Sequence, residues 1–253
     1  MFRLNPAIDV AALAAQFAQD GLVVIDDWLV PDDAAMLHHH LRTRDDWLKI
    51  VSSGTTVFEL DRATQALMSE DQRRQLDDSV YAGARRGFQF RFETLRVPDG
   101  HAERAIDGRA LATFAEWMSG EAARAVLRDV TGHADIEFAD AQGTAYAPGD
   151  FLTAHDDDVA GKNRVAAWVY GLASDWRAEW GGLLLFHNPG KRVSGVVPGF
   201  NRLTLFDVPQ LHSVSEVSRS APFRRYSITG WLRTQRPFGA DETGQRQQPR
   251  NSS

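Results

Sequence analysis

Cysteine is absent from all 253 residues, which removes disulfides, thiolate nucleophiles, Cys-ligated zinc and iron–sulfur clusters from consideration. Any metal must therefore be held by His, Asp, Glu or backbone oxygen. No apolar run is long enough to cross a bilayer, and the opening Met-Phe-Arg-Leu-Asn-Pro lacks the apolar centre of a signal peptide. No membrane association and a cytoplasmic location are expected. A basic stripe is also missing: the net charge is -6 and the bases are dispersed among acids, so direct nucleic-acid binding through phosphate neutralisation is not expected. There is no internal repeat or Pro/Gly/Ser linker. One domain is expected over 1–235, with helical support in 1–135 and a β core in 136–235. The polar stretch 236–253 is expected to be disordered. No partner surface is legible, and the oligomeric state stays open.

The first half reads as helices with a few strands. Val10 to Gln19 has helical periodicity and Gly21 is a natural stop; Leu22 to Ile25 reads as a buried strand. Pro31-Asp32-Asp33 opens a second helix expected to run to about Trp47. It carries His38, His39 and His40, but successive helical positions point roughly 100° apart and cannot converge on one ion. A partly exposed helical surface is the expected reading. Further helices are expected at Ser69 to Ala84, Asp107 to Met118 and Gly120 to Val130. Phe88 to Glu93 alternates like a strand, its aromatics expected in the core, with the rim of a substrate entrance as the alternative.

From about Ile136 the pattern changes to short β segments punctuated by Pro148-Gly149, Gly161-Lys162, Asn188-Pro-Gly190 and Pro198-Gly199. Strands are expected at Ile136 to Ala147, Thr153 to Asp157, Ala166 to Leu172, Gly182 to Phe186, Arg192 to Val196, Arg202 to Phe206, His212 to Val217 and Arg225 to Leu232. Many short strands at this spacing favour an antiparallel sandwich or barrel. The expected class is α+β, mainly β: a double-stranded β-helix, or jelly roll, with N-terminal supporting helices.

Within this half, His155-Asp156-Asp157, His212 and Arg225 form the one constellation with chemical content. Two neutral imidazoles and a carboxylate can occupy one face of an octahedral Fe(II) and leave three positions open. In an extended strand residues i and i+2 share a side, so His155 and Asp157 are expected to reach one metal while Asp156 faces away. A buried arginine nearby could anchor a dicarboxylate through its planar fork. Arg225 is preferred because an inward side chain there puts Ser227 and Thr229 on the same face; Arg224 is the rival.

These residues resemble a known family. Tyr146-Ala-Pro-Gly149, His155-Asp-Asp157, Trp180-Gly-Gly-Leu183, Phe200-Asn-Arg-Leu203, His212-Ser-Val-Ser-Glu-Val217 and Arg225-Tyr-Ser-Ile-Thr-Gly-Trp231 together are similar to the catalytic domain of the Fe(II)- and 2-oxoglutarate-dependent prolyl hydroxylases. The similarity is greatest to the group that contains the yeast termination-and-polyadenylation hydroxylase and the human ribosomal prolyl hydroxylase. The resemblance covers about ninety residues, Tyr146 to Arg233. It implies His155, Asp157 and His212 as iron ligands, Arg225 as partner of the distal 2-oxoglutarate carboxylate, and Tyr146 and Tyr170 as co-substrate hydrogen-bonding residues. Trp168 and Trp231 are pocket wall or plain core, and Gly181-Gly182 is expected to serve close strand packing.

The implied cofactors are Fe(II), 2-oxoglutarate and O2, with ascorbate as candidate reductant; the implied reaction is hydroxylation coupled to decarboxylation of 2-oxoglutarate to succinate and CO2. A prolyl residue in a protein or peptide, a ribosomal protein among the candidates, is the leading substrate. A free amino acid or small metabolite is the alternative substrate. A noncatalytic metal-binding jelly-roll module and a metalloenzyme that does not use 2-oxoglutarate are the alternatives from other classes.

Overall fold

The strand Arg225–Arg233 serves two interiors at once. Successive strand side chains point to opposite faces: Tyr226, Ile228 and Leu232 enter a large apolar cluster beneath the helices, while Arg225, Thr229 and Trp231 line a cavity on the other side. The computed structural model describes residues 1–53 and 56–236. Nearly all of the tail expected to be disordered, residues 237–253, lies outside the described residues.

From the N-terminus run α1 (Val10–Asp20), β1 (Leu22–Ile25), α2 (Pro31–Thr43), β2 (Leu48–Ser53), β3 (Thr56–Asp61), α3 (Arg62–Leu67), α4 (Glu70–Ala84) and β4 (Phe90–Arg96). Three helices follow, α5 (His101–Asp107), α6 (Ala110–Met118) and α7 (Glu121–Thr131). The chain then enters its β core: β5 (Phe138–Ala139), β6 (Gln142–Tyr146), β7 (Phe151–His155), β8 (Arg164–Leu172), β9 (Leu184–Asn188), β10 (Arg192–Val196), β11 (Phe200–Asp207), β12 (His212–Val214) and β13 (Arg225–Arg233).

Strand neighbours follow the order β1-β11-β8-β13-β6-β4-β7-β12-β9-β10, with β2 on β4, β3 on β2 and β5 beside β13. β4 is the seam, since Glu93 to Arg96 pair with β6 while Phe90 and Arg91 pair with β7. Through that shared strand one antiparallel sheet curls into a jelly roll, as expected. The helices cover its outer face. Phe114 on α6 stacks on Tyr170 at 5.3 Å and meets Trp168 edge-on at 6.2 Å, and Leu37, Leu41 and Leu127 are fully buried beside them. Each such side chain contributes about 2–3 kcal/mol through burial.

Local chemistry sets the helix ends. The Asp9 carboxylate accepts from the Ala12 N–H, and Gly21 closes α1 at φ 61°, a conformation open to glycine. Ser69 and Gln72 form a capping box at α4. α2 is shorter than expected. Arg44 is extended, and the buried Trp47 instead donates its indole N–H to the Leu41 carbonyl and packs against Tyr226. α3, α5 and the β2–β3 pair were not expected; β3 is exposed along most of its length and has no alternation to read.

The single strand expected at 136–147 is two. Asp140 turns its carboxylate back to accept from the Trp231 N–H at 2.6 Å, and its carbonyl approaches so near Gly230 that a Cβ there would sit 1.9 Å away. Burial, with Asp99 adding repulsion, pushes the Asp140 carboxyl up to about 6 against the pull of the Trp231 N–H, Arg233 and Arg164. The folded state thus holds a proton that the unfolded chain releases near pH 4. This contribution to stability is complete below about pH 4 and lost as pH rises through 6. Asp140→Asn should remove it: between pH 4 and 7 the wild type should lose up to about 3 kcal/mol relative to the variant in urea melts. Parallel pH profiles for the two proteins would contradict this.

Candidate metal centre and co-substrate chamber

Strand pairing does most of the assembly. β12 lies antiparallel to β7 with His212 directly opposite His155, which brings the imidazole centroids to 4.2 Å. Asp157 completes the group: its Oδ1 lies 3.4 Å from His155 Nε2 and its Oδ2 3.3 Å from His212 Nε2. One ligand atom from each of the three residues falls within a 4.8 Å span.

The route by which Asp157 arrives differs from the expected one. β7 ends at His155, and Asp157 lies beyond it at φ 64°. A left-handed turn, which aspartate tolerates better than most residues, swings the carboxylate back over the strand end. Arg164 holds that turn, donating from Nη1 to the Asp157 carbonyl at 3.1 Å while stacking 3.5 Å over Trp231. Asp156 faces solvent and accepts from the Asp158 N–H, in keeping with its expected exclusion.

Each histidine is oriented from behind. His155 Nδ1 lies 3.0 Å from the Thr153 carbonyl and His212 Nδ1 2.7 Å from that of Gln210. A carbonyl can only accept, so each Nδ1 carries a proton; each Nε2 faces Asp157, whose carboxylate accepts from it, and becomes a metal ligand when that Nε2 proton is displaced. Burial alone would lower the His155 pKa, but hydrogen bonding and attraction from Asp157 outweigh it and the net shift is upward. Burial would likewise raise Asp157, yet hydrogen bonds from His155 and His212 hold it far below the usual carboxylate range. The carboxylate is ionised throughout the physiological range.

The triad opens into a cavity of about 300 Å³ whose far end is Arg225. Arg225 is 4% exposed, its Nε is buried without a hydrogen-bond partner, and no acid faces it; burial depresses its pKa. Arg224 points outward and donates from Nε to Glu93 at 2.9 Å. An arginine already satisfied by protein cannot greet a ligand carboxylate as well as an unpaired one, so the geometry favours Arg225. Beneath it, a Cβ on Gly182 would meet Arg225 Cδ at 3.1 Å, and one on Gly181 would meet the Glu216 carbonyl at 2.0 Å. The glycine pair does serve close packing.

The two tyrosines separate. Tyr146 lines the chamber, its ring 5.2 Å from the Arg225 guanidinium and stacked on Phe92; burial raises its phenol pKa. Tyr170 does not reach the chamber. It faces the helical core, and its hydroxyl donates to Asn201 Oδ1 at 2.7 Å, because strand alternation sends the side chain of its neighbour Val169 inward instead. Trp168 also packs in that core, while Trp231 forms cavity wall.

The expectation that the aromatics of this strand are core holds for Phe92, which is buried in an apolar cluster with Tyr146, and is corrected for the exposed Phe88 and the partly buried Phe90. All three line the cavity, Phe88 is 57% exposed, and its ring lies 5.6 Å from that of His155. Sequence reasoning missed Phe206, whose ring meets His212 at 4.7 Å, and Arg164. Phe206 was inside an expected strand, but its face is fixed by pairing with Ala167 on β8 and Leu22 on β1.

Exchange of Asp157 for Ala should lower Mn(II) or Fe(II) affinity by at least about a hundredfold, whereas Asp156→Ala should leave it within about twofold; calorimetric metal titration measures both. Equal losses would contradict the assignment of the carboxylate.

Residues 141–233 match the family model described as the 2OG-Fe(II) oxygenase superfamily. Comparison with curated proteins finds no match. Among solved structures, a Pseudomonas putida prolyl-4-hydroxylase is similar at 18% identity and TM-score 0.57, covering 88% of this chain and 98% of that one. A Trichoplax adhaerens prolyl hydroxylase, solved with a hypoxia-inducible-factor peptide, is similar at 16% identity and TM-score 0.59, covering 89% of each chain. The alpha-ketoglutarate-dependent epimerase SnoN of nogalamycin biosynthesis is similar at 12% identity and TM-score 0.56, covering 90% of this chain and 84% of its own. At these identities the structures show a shared jelly-roll fold. The family match implies Fe(II), 2-oxoglutarate and O2 as cofactors. The donor set fits the metal, the unpaired Arg225 guanidinium fits a dicarboxylate, and all four residues lie inside the segment matched to the 2OG-Fe(II) oxygenase superfamily.

Proposed function

We propose that this chain is a 2-oxoglutarate-dependent dioxygenase that hydroxylates a prolyl residue in a protein or peptide. His155, Asp157 and His212 would hold Fe(II), and Arg225 the distal carboxylate of 2-oxoglutarate. The observation that carries this reading is the buried, unpaired Arg225 facing the same cavity as the triad. Leaving a guanidinium without a partner in a buried site is costly, and a dicarboxylate held in this cavity would remove that cost. When bound, the iron couples oxidative decarboxylation of 2-oxoglutarate to insertion of one oxygen atom into a substrate C–H bond.

The chain's own residues position and shield. Arg164 fixes the turn that aims Asp157, the Thr153 and Gln210 carbonyls fix the imidazoles, and Phe206 and Trp231 limit water access beside the metal positions. Ile50, Phe88, Phe90 and Leu152 supply an apolar wall suited to a pyrrolidine ring. A free amino acid fits less well: its ammonium needs an acid, and Asp157, committed to the triad, is the only acid lining the cavity among the described residues. Prolyl hydroxylases among the structural neighbours, one of them solved with a peptide, support the same substrate class. The motif resemblance to the ribosomal prolyl hydroxylase group makes proline-containing ribosomal peptides the first to try.

With Fe(II), ascorbate, 2-oxoglutarate and ¹⁸O₂, such peptides should gain one labelled oxygen in step with succinate formation. Labelled free proline in preference to every peptide would favour the metabolite reading instead. Arg225→Ala should raise the 2-oxoglutarate concentration for half-maximal succinate release at least about tenfold more than Arg224→Ala does; the reverse order would move the anchor to Arg224.

A further inference from the structure

Behind the sheet that walls the chamber lies a separate, charged pocket. β2 and β4 pair with Lys49 opposite Glu93 and Val51 opposite Arg91, and strand alternation turns these side chains away from Ile50, Phe90 and Phe92, which line the chamber. Residues of α3 and α4 close over this outward face, and Pro148 and Arg224 complete a pocket of about 540 Å³. Its charges do not balance. Lys49, Arg62, Arg73, Arg91 and Arg224 line it against only the carboxylates of Asp77, Glu93 and Asp150, which leaves two positive charges over. The acids are fully engaged: the buried Glu93 is shared by Arg62 at 3.3 Å and Arg224 at 2.9 Å, and the buried Asp150 by Lys49 at 2.8 Å and Arg91 at 3.3 Å. Asp77 holds the other side of Arg91. Donors remain at the rim. Arg73 reaches only the Gln65 and Ala66 carbonyls, and Arg224 spends Nε on Glu93 while its Nη groups make no hydrogen bond among the described residues.

In a chain of net charge -6, such a local excess of cations on a concave surface attracts anions and raises their concentration there. We infer that this pocket is an anion site, distinct from the chamber, that takes a phosphate group. A single carboxylate is planar and neutralises one charge. A phosphate dianion matches the excess of two, and its oxygens project in several directions at once, toward guanidinium forks that arrive from α3, from α4 and from the segment before β13. The pocket is larger than phosphate alone requires, so a phosphate ester fits as well as the free ion. Because the sheet stands between the two sites, phosphate and 2-oxoglutarate do not compete for the same residues. The inference stands apart from the proposed function, since it uses neither the triad nor Arg225.

The test is calorimetric. The full chain, freed of divalent ions so that phosphate has no metal to coordinate, is titrated at low ionic strength with inorganic phosphate and with glycerol phosphate, in mildly alkaline chloride buffer where both are dianions. One phosphate should bind per chain, and Arg73→Ala and Arg224→Ala should each weaken it about tenfold through loss of a charge-assisted partner. Arg74→Ala removes the same charge from the same helix, but Arg74 pairs with Glu70 and Asp71 outside the pocket; it should leave the affinity within about twofold, as should Arg225→Ala. Should an alanine variant not fold, Arg73→Gln and Arg224→Gln, which keep much of the stem, are expected to show the same loss. Glycerol phosphate binding as tightly as phosphate supports the site and identifies an ester as its ligand; weaker binding supports it with the free ion as ligand. No binding of either by the wild type, or a loss in Arg74→Ala as large as in Arg73→Ala, overturns the site. Loss confined to Arg225→Ala overturns it too, because the phosphate would then sit in the chamber.

Discussion

The pairing of β12 with β7 is the constraint on which the rest depends. Setting His212 across from His155 brings together two imidazoles far apart in sequence, and a slip of one residue would send one of them to the opposite face of the sheet. The pairing is itself enforced from both sides. β12 is also paired to β9, with His212 opposite Phe186, and the Leu152 and Val214 side chains beside it are packed in an apolar cluster. Hydrophobic burial thus fixes a polar geometry. Metal affinity and folding stability should be linked for the same reason, since the donors converge only in the folded chain.

The jelly roll divides labour between its two faces. Outward, alternate residues of β8, β11 and β13 join the helices in a filled core; inward, the same strands leave a chamber with a carboxylate–imidazole group at one end and an unpaired guanidinium at the other. Opposite formal charges stand apart in a low-dielectric space without neutralising each other. Such an arrangement is unfavourable for the isolated fold and becomes favourable only with a ligand that bridges it, as expected at functional sites. Gly181 and Gly182 belong to this design, because side chains there would displace the Glu216 backbone and the stem of Arg225.

Much of this was legible in the sequence, and the failures have physical causes. Short segments punctuated by turn residues after Ile136 announced the β core, and helical periodicity with the stop at Gly21 placed α1 closely. β3 escaped because an exposed edge strand has no buried face to impose a pattern. Asp157 was identified for a reason the structure replaces: strand periodicity suggested it, whereas a left-handed turn held by Arg164 delivers it. Tyr170 was misassigned because motif position does not reveal which face of β8 meets the chamber, and that depends on register with β11 and β13. Phe88 and Phe90 read as core since apolar alternation looks alike whether the buried face meets packing or a cavity.

The fold alone does not decide the chemistry, since structures of similar architecture include hydroxylases and an epimerase. What carries the reading of this chain is the joint presence of the triad and the unpaired Arg225 in one cavity. The most direct test of that claim is an anaerobic titration of the Fe(II)-loaded protein with 2-oxoglutarate, followed in the visible range with iron stoichiometry measured on the same sample. One iron per chain and a weak charge-transfer band that grows to saturation with 2-oxoglutarate are the predicted result. A folded, iron-loaded protein whose spectrum is unchanged by 2-oxoglutarate would contradict the account.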